Sequence, residues 1–235
     1  MLHQMDDHQL IPSSVFYVGA YWRPRLEPLQ ECADRATLFF SELRRLDEAF
    51  DGWYEQGLSR SAAVRSPVRI DFQSVVAKLA AGRNRTDFGD EVIEELGYTM
   101  SLWNGQKEAV SVSLSCGRLP GPYSGWNAVV LNLSSVVGVR IANSSAATAI
   151  LRLLIESWSP EWATWSTAKW RFEQGWRTGR VAGWMTYVET VGEGARLPKG
   201  VRAEPLGSGL LLTVAQTVAE VDTAQLRRAL SAKLV

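Results

Sequence analysis

Apolar residues either alternate with polar ones or recur every three to four residues along the chain, which predicts strands and helices respectively. Val15 to Trp22 is rich in aromatic and β-branched residues and predicts a strand. From Leu29 to Phe50 apolar residues recur at helical spacing, which predicts an amphipathic helix that ends near Trp53. Ile70 to Ala81 is a weaker helix candidate.

The middle of the chain carries the clearest hairpin pattern. Tyr98 to Trp103 alternates, the turn dipeptide Asn104-Gly105 follows, and apolar residues then alternate with three serines from Val110 to Cys116. Such alternation gives a strand pair one buried face and one face toward water or a partner. Asn127 to Leu133 supplies another strand, and we expect the three strands to be antiparallel neighbours.

The C-terminal part alternates between helix and strand patterns. Ala146 to Trp158 is apolar on most faces, which predicts a central buried helix that stops before Pro160. Ser159 is expected to cap a further helix that begins at Pro160. The remaining patterns predict strands at Val181 to Glu189 and Leu210 to Ala215, and a last helix from Asp222 to Leu234.

These patterns predict one α+β domain, mainly an antiparallel sheet packed with helices, over residues 15–235. Residues 1–14 are expected to form a flexible N-terminal tail without the apolar core of a signal peptide. The longest apolar stretches are far below the roughly 20 residues that a membrane-spanning helix needs. We therefore expect a cytoplasmic protein with no membrane association.

The composition limits which partners and which catalytic groups the folded domain can have. The formal net charge of zero provides no overall attraction to nucleic acid, so we expect no direct binding of nucleic acid. Cys32 and Cys116 lie at apolar positions and are expected to be buried thiols. The only histidines, His3 and His8, lie in the predicted tail, which excludes a Ser-His or Cys-His nucleophile pair in the folded domain.

Other motifs for catalysis or cofactor binding are also missing. No His/Cys cluster has zinc spacing, and Gly192-x-Gly194 lacks the third glycine and the strand-to-helix context of a dinucleotide site. We expect no cofactor, no metal and no catalytic residues, and a protein that acts by binding rather than as an enzyme. Catalysis by a pair of carboxylates needs no motif and stays open.

Five of the ten tryptophans fall between Trp158 and Trp176. Each buried indole removes roughly 150–250 Å² from water, so this block anchors either the fold or a partner surface. Core positions are the first interpretation for Trp158 and Trp162, and the alternative is that one of the two forms a recognition rim with Glu161. On a helix, Trp165 and Trp170 cannot both lie on the face of Trp162, so we expect at least one of them to be partly exposed or to contact a partner.

Charge is distributed unevenly along the chain. From Thr86 to Glu108 six carboxylates face one cation, Lys107. The run from Asp87 to Glu95 is either a solvated helix start or an acidic face directed at a basic groove on another protein. Trp103 lies at the hairpin tip, where a contact role is the favoured interpretation.

Several segments in order resemble immunity protein family 52 of bacterial polymorphic toxin systems. The resemblance runs from about Phe16 to Thr213. The segments are Tyr21-Trp22-x-Pro24-Arg25, Cys32-Ala33, Trp53 with Gly57, Leu96-Gly97, Trp103-Asn104-Gly105, Cys116-Gly117, Trp158-Ser159-Pro160-Glu161-Trp162 and Gly183-Trp184-Met185-Thr186-Tyr187.

The resemblance implies an α+β immunity protein, an antitoxin encoded beside a toxin that it neutralises by tight binding. It further implies a nuclease partner with a restriction-endonuclease-like domain, in several cases delivered by type VI secretion, and it supplies no catalytic residues. An acidic, aromatic surface suits an electropositive nuclease groove. The candidate partner-binding residues are Asp87, Asp90, Glu91, Glu94, Trp103, Glu161 and Trp162.

Two functions from other classes stay open. A carbohydrate-binding module or glycosidase would use the tryptophans as a platform for sugars, and an effector adaptor or chaperone would bind a secreted protein outside its toxic domain. The oligomeric state, the binding face and the choice between direct occlusion and remote inhibition are not indicated by the sequence.

Overall fold

The computed structural model describes residues 15–55, 60–121, 125–143, 145–174, 180–190 and 197–231. Within these ranges ten strands form one antiparallel sheet in the order β3-β2-β4-β5-β6-β1-β7-β8-β10-β9. The strands are β1 (Phe16–Trp22), β2 (Trp53–Glu55), β3 (Pro67–Val68), β4 (Tyr98–Trp103), β5 (Val110–Cys116), β6 (Asn127–Leu133), β7 (Trp162–Thr167), β8 (Met185–Val188), β9 (Arg202–Leu206) and β10 (Gly209–Thr213).

The described ranges also contain seven helices. They are α1 (Leu29–Leu46), α2 (Arg60–Ala63), α3 (Phe72–Ala81), α4 (Ser135–Ala142), α5 (Ala146–Trp158), α6 (Ala168–Glu173) and α7 (Thr223–Ser231). The predicted α+β class with a mainly antiparallel sheet is confirmed. None of the helices in the described ranges is long and apolar enough to cross a membrane.

The central strand β1 shows why the sheet has two different faces. Phe16, Val18 and Trp22 project into the main core, where α4 and α5 cover them. Tyr17 and Tyr21 project from the opposite face. In register with Tyr21, that second face continues through Ala128 on β6 and Trp162 on β7. We call it the open face.

The predicted hairpin is confirmed, but its connection is longer than a two-residue turn. Trp103 pairs with Ser111, so residues 104–109 form the loop between β4 and β5. The Asn104 side chain is buried, accepts a hydrogen bond from the Val110 backbone N–H at 3.0 Å and donates one to the Ala49 carbonyl at 3.1 Å. Asn104 thus ties the loop to the body of the protein.

Helix α1 ends at Leu46, earlier than the periodicity predicts. Asp47 adopts an extended conformation (φ −163°) and accepts a hydrogen bond from the Ala49 N–H, which starts a separate 3-10 turn at Glu48–Phe50. Arg140 of α4 donates to both oxygens of Asp47, at 2.5 and 2.7 Å. The apolar stripe continues through Phe50, but the backbone hydrogen bonding changes at Asp47.

The helix predicted after Ser159 is wrong, because this segment forms strand β7. Ser159 ends α5 in the left-handed conformation (φ 43°), and the chain then pairs with β1 on one side and β8 on the other. Both Trp165 and Trp170 are buried, at 0% and 7% exposure, so the expectation that one of them is exposed is also wrong. A strand alternates its side chains between two faces, so helical spacing did not apply.

The interpretation of Asp87 to Glu95 as a helix start is wrong as well. Residues 87–90 form a turn, and a single 3-10 turn follows at Glu94–Leu96. The buried thiols of Cys32 and Cys116 are confirmed. The expected tail (residues 1–14), Trp176, the Gly192-x-Gly194 segment and the end of the last helix beyond Ser231 lie outside the described residues.

Candidate partner-binding surfaces

Four of the seven candidate residues lie on one loop. Residues 84–96, which we call the acidic loop, carry five carboxylates and one guanidinium, that of Arg85. The two sides of the loop are joined by backbone hydrogen bonds from Thr86 to Glu91 and from Ile93 to Asn84, both 2.9 Å. The loop is therefore a short, ordered, antiparallel projection.

Two contacts join the base of the acidic loop to the sheet. Arg83, directly before the loop, forms a bridge with Tyr98 at the start of β4. Its guanidinium lies 5.5 Å from the centre of the Tyr98 ring. On the other side of the base, the N–H of Leu119, which follows β5, donates to the Glu95 carbonyl of the loop at 3.1 Å. The loop is consequently positioned at the end of the sheet where β4 begins.

Gly97 makes the close approach between the loop and the strands possible. Its φ is +62°, in the left-handed region that glycine tolerates. A Cβ atom at this position would lie 2.3 Å from the Cys116 carbonyl oxygen. The chain can therefore turn from the loop into β4 against β5 only with glycine here.

The four candidate carboxylates of the loop fall into two electrostatic classes. Arg85 pairs with Asp90 at 3.2 Å, and Arg83 pairs with Glu94. Asp87 and Glu91 form no ion pair within the described residues, and both are exposed. Asp87 and Glu91 are therefore the unpaired carboxylates beside the tip, and Glu95, at the base of the loop, also forms no ion pair within the described residues.

Trp103 lies away from the acidic loop. It is half-buried at the far end of β4, on the open face, in register with Ser111 and with Tyr54 of β2. Five residues of strand separate it from Tyr98, which corresponds to about 17 Å. The structure does not bring Trp103 together with the acidic candidates.

Glu161 and Trp162 form a third group at the start of β7. The Glu161 carboxylate pairs with Arg23 at 3.3 Å and with Arg180 at 3.9 Å, so its charge is compensated. Trp162 is 3% exposed and lies under Arg180, whose guanidinium is 5.8 Å from the indole centre. The same guanidinium lies 5.5 Å from the centre of the Trp126 ring, which is 40% exposed.

This third group lies at the same end of the sheet as the acidic loop. The row from Thr99 on β4 to Trp162 on β7 passes through Ser115, Ala128 and Tyr21. Four strand spacings correspond to about 19 Å. A standard interface covers about 800 Å² on each partner, so a single partner can contact both groups.

Two ionisable groups of the interior are held in their neutral forms. Burial raises the pKa of Tyr21 to about 12, with Tyr17 adding to the effect. A hydrogen bond with the Cys32 thiol, together with burial, raises the pKa of the Cys116 thiol. Both groups therefore stay uncharged to higher pH in the folded protein than in the unfolded chain.

Within the described ranges, no three His, Cys, Asp or Glu side chains are grouped so that they could hold a metal ion. The buried carboxylate of Glu27 instead accepts hydrogen bonds from the Trp22 indole at 3.1 Å and from Arg35 at 2.8 Å. Arg25 donates to the same carboxylate at 2.9 Å. These contacts fix the segment between β1 and α1.

Three residues of these surfaces were not singled out by the sequence. Phe88 is 94% exposed at the tip of the acidic loop, and Trp126 and Arg180 form the stack above Trp162. The Asp-Phe-Gly-Asp sequence at positions 87–90 signals a turn that carries one apolar residue. No local signal links Trp126 to Arg180, because their contact depends on the tertiary fold.

Comparison with known proteins adds the family. The sequence model of the family described as Immunity protein 52 matches residues 14–234, which is nearly the whole chain. The chain belongs to this family. A role as an immunity protein, with a cognate toxin as its partner, follows from membership. A search of curated proteins gave no significant match.

Among solved structures, the chain is similar to one described as "Pseudomonas aeruginosa T6SS protein PA0821". The two share 13% sequence identity with a TM-score of 0.52, over 97% of this chain and 79% of the other. At this identity the similarity concerns the fold. The α+β fold of the Immunity protein 52 chain therefore occurs in a second protein of very different sequence.

Proposed function

We propose that this immunity protein is a cytoplasmic antitoxin that neutralises a secreted nuclease toxin of the restriction-endonuclease-like type by stoichiometric binding. The observation that carries the proposal is the acidic loop, an ordered projection with free carboxylates in a chain of zero net charge. A nuclease groove that holds DNA must be electropositive, so a projecting acidic surface is complementary to it.

Delivery of the toxin by type VI secretion is part of the same proposal. It is supported by the described role of the structurally similar chain as a T6SS protein. It is also supported by the resemblance of the sequence to a family whose partners include type VI effectors.

The proposed contact surface is the end of the sheet that carries the acidic loop and the start of β7. Asp87 and Glu91 supply free charge, while Asp90 and Glu94 hold the loop through their arginine partners. Glu161 and Trp162 support the Trp126–Arg180 stack from below, and Trp103 is proposed to contribute at the margin, on the open face.

The burial of the tryptophan block does not favour the sugar-binding alternative. Within the described part of the chain, the tryptophans of the block are between 0% and 7% exposed. A carbohydrate-binding platform needs exposed indole faces, so the burial of these rings favours the antitoxin over that alternative. These four tryptophans are buried parts of the fold.

Co-expression tests the proposed function. The isolated toxin domain encoded by the neighbouring gene is expressed in a sensitive bacterium, alone or together with this protein. An antitoxin restores growth and prevents DNA degradation, whereas an adaptor that binds outside the toxic domain restores neither. Growth arrest that persists at equal expression of the two proteins would refute the proposal.

Competition with DNA tests the mode of inhibition. We propose that the protein covers the DNA-binding groove, so a catalytically inactive toxin domain should bind either labelled DNA or this protein, but not both. A stable ternary complex of toxin, DNA and immunity protein would show that inhibition acts from a remote site.

A further inference from the structure

Among the large apolar side chains of the described residues, the most exposed is that of Phe88, which lies in the acidic loop. Phe88 is 94% exposed, compared with 79% for Leu26 and 75% for Phe172. Single exposed apolar residues are common on protein surfaces, so exposure alone carries no conclusion. The position of Phe88 and the way its backbone is held make it different.

The turn that presents Phe88 is fixed by hydrogen bonds on both sides. The Thr86 hydroxyl donates to the Phe88 carbonyl at 2.6 Å and accepts from the Glu91 N–H at 3.2 Å. Arg85 donates to the Asp90 carbonyl at 2.6 Å. The ring is therefore presented on a formed turn, and little backbone freedom remains to be lost when a partner binds it.

Two residues of the turn have positive φ, which is unstrained for glycine and costs energy only at Asp90. Gly89 has φ +85° and Asp90 has φ +55°. A non-glycine residue with positive φ is uncommon, although aspartate tolerates this region better than most residues. The hydrogen bonds from Arg85 to Asp90 compensate for this backbone strain and keep the tip in one shape.

The charges beside Phe88 indicate the chemistry of what covers it. Asp87 precedes the ring and Glu91 lies across the turn, and neither carboxylate is paired within the described residues. A partner that buries the ring also approaches these two carboxylates, and cationic groups compensate their desolvation most strongly. The complementary site is thus an apolar pocket with lysine or arginine at its edge.

From these observations we propose that Phe88 is the aromatic anchor through which the acidic loop binds the toxin, inserted into an apolar, cation-edged pocket. This inference rests on the proposed function and adds to it the residue that dominates affinity. Aromatic residues buried at the centre of an interface commonly carry much of the binding energy. The carboxylates then act mainly on the rate of association.

Binding kinetics of three purified proteins test the proposal. The native chain, Phe88→Ala and Phe172→Ala are compared for binding to the immobilised, catalytically inactivated toxin domain encoded by the neighbouring gene. Phe172 is the matched control, because it is an exposed phenylalanine on α6, beyond the opposite end of β7. Thermal unfolding of all three proteins checks that the fold is intact. We expect it to be, because both rings are exposed.

We expect Phe88→Ala to raise Kd by about 30-fold or more, mainly through faster dissociation, and Phe172→Ala to change Kd by less than about twofold. Failure of the native chain to bind would overturn the proposed function together with the anchor. Native binding with Phe88→Ala within about twofold of it would overturn the anchor alone and leave the antitoxin function standing.

Photo-crosslinking provides a second readout. With p-benzoylphenylalanine at position 88, irradiation should join the loop to the toxin domain, and the same substitution at position 172 should not. Crosslinking at position 88 only to a second copy of this chain, with the toxin present, would overturn the proposal in favour of self-association.

Discussion

The aromatic rings at the centre of the fold are buried, whereas the single aromatic ring of the acidic loop is exposed. Trp158 stacks on Trp22 with ring centres 5.3 Å apart, and Trp165 meets Trp184 edge to face at 6.2 Å. Phe88, in contrast, has no such ring partner within the described residues and is almost fully exposed. Aromatic abundance in this chain therefore marks the structural core, and the proposed recognition element is poor in aromatic residues.

Replacing a core tryptophan should have the largest effect on the free energy of unfolding. Trp158→Ala removes a fully buried indole that packs on Trp22 and Phe39, so we expect a loss of about 3–5 kcal/mol. Trp126→Ala, at a ring 40% exposed, should cost about 1 kcal/mol or less. Urea denaturation measures both. Similar losses would contradict the division between core and surface aromatics.

Removing the buried carboxylate should have a smaller but clear effect. Glu27→Ala leaves the Trp22 indole N–H without its acceptor and separates Arg25 and Arg35 from their shared partner. Because the arginines are about one-third exposed, we expect about 2 kcal/mol rather than the cost of a fully buried pair.

Glu31→Ala is the matched control for that measurement. It removes the exposed i,i+4 partner of Arg35, which should change the free energy of unfolding by at most about 0.5 kcal/mol. A Glu27 variant as stable as the Glu31 variant would show that the carboxylate network does not stabilise the fold.

Alkaline pH should lower the free energy of unfolding through the ionisation of Tyr21. The pKa of Tyr21 is raised to about 12 by burial, so the unfolded chain releases this proton at lower pH than the native one. The contribution of Tyr21 to stability is therefore intact below about pH 10 and is lost as pH rises further, by about 1.4 kcal/mol at pH 11. The raised pKa of Cys116 acts in the same direction, starting near pH 9.

Thermal unfolding at pH 8, 10 and 11 measures this dependence, and Tyr21→Phe should show a shallower decline. The Phe variant has no titrating hydroxyl but keeps the ring. Equal pH dependence of the native and variant proteins would contradict the assignment to Tyr21.

Neutralising the free charges of the loop should have the smallest effect. Asp87→Asn with Glu91→Gln removes the two carboxylates beside the tip that lack an arginine partner, so we expect an association rate about three- to tenfold lower, with a weaker dependence on salt. Reversing Asp90 and Glu94 is less informative, because their ion pairs hold the loop.

The control for that pair is Glu156→Gln with Glu204→Gln, which removes the same charge at exposed positions on α5 and β9. Association rates with the toxin domain over a salt series compare the two variants. Identical rates would exclude steering by the acidic loop in particular.

Periodicity was sufficient for much of the fold. The strand at β1, the β4–β5–β6 neighbours and the helices α1 and α5 have strong local patterns, and all are present. Strand β7 was missed because Ser159-Pro160-Glu161 matches a helix start, while the pairing with β1 and β8 that decides its structure involves residues far away in the sequence. Tertiary pairing overrode the local signal.

The candidate surface could be predicted only in part. The acidic run is visible in composition, but its shape depends on Thr86, Arg83 and Arg85, whose hydrogen bonds and ion pairs no periodicity describes. The sequence also does not reveal that Glu161 is compensated by Arg23 and Arg180, which lie far away in the chain.

Titration of nuclease activity tests the central claim most directly. The toxin domain, at a fixed concentration well above the expected Kd, is mixed with increasing amounts of this protein, and DNA cleavage is followed. Stoichiometric inhibition predicts a linear fall that reaches zero at about one immunity protein per toxin, with the two proteins eluting as one complex. Cleavage that continues unchanged in several-fold excess, with separate elution, would contradict the account.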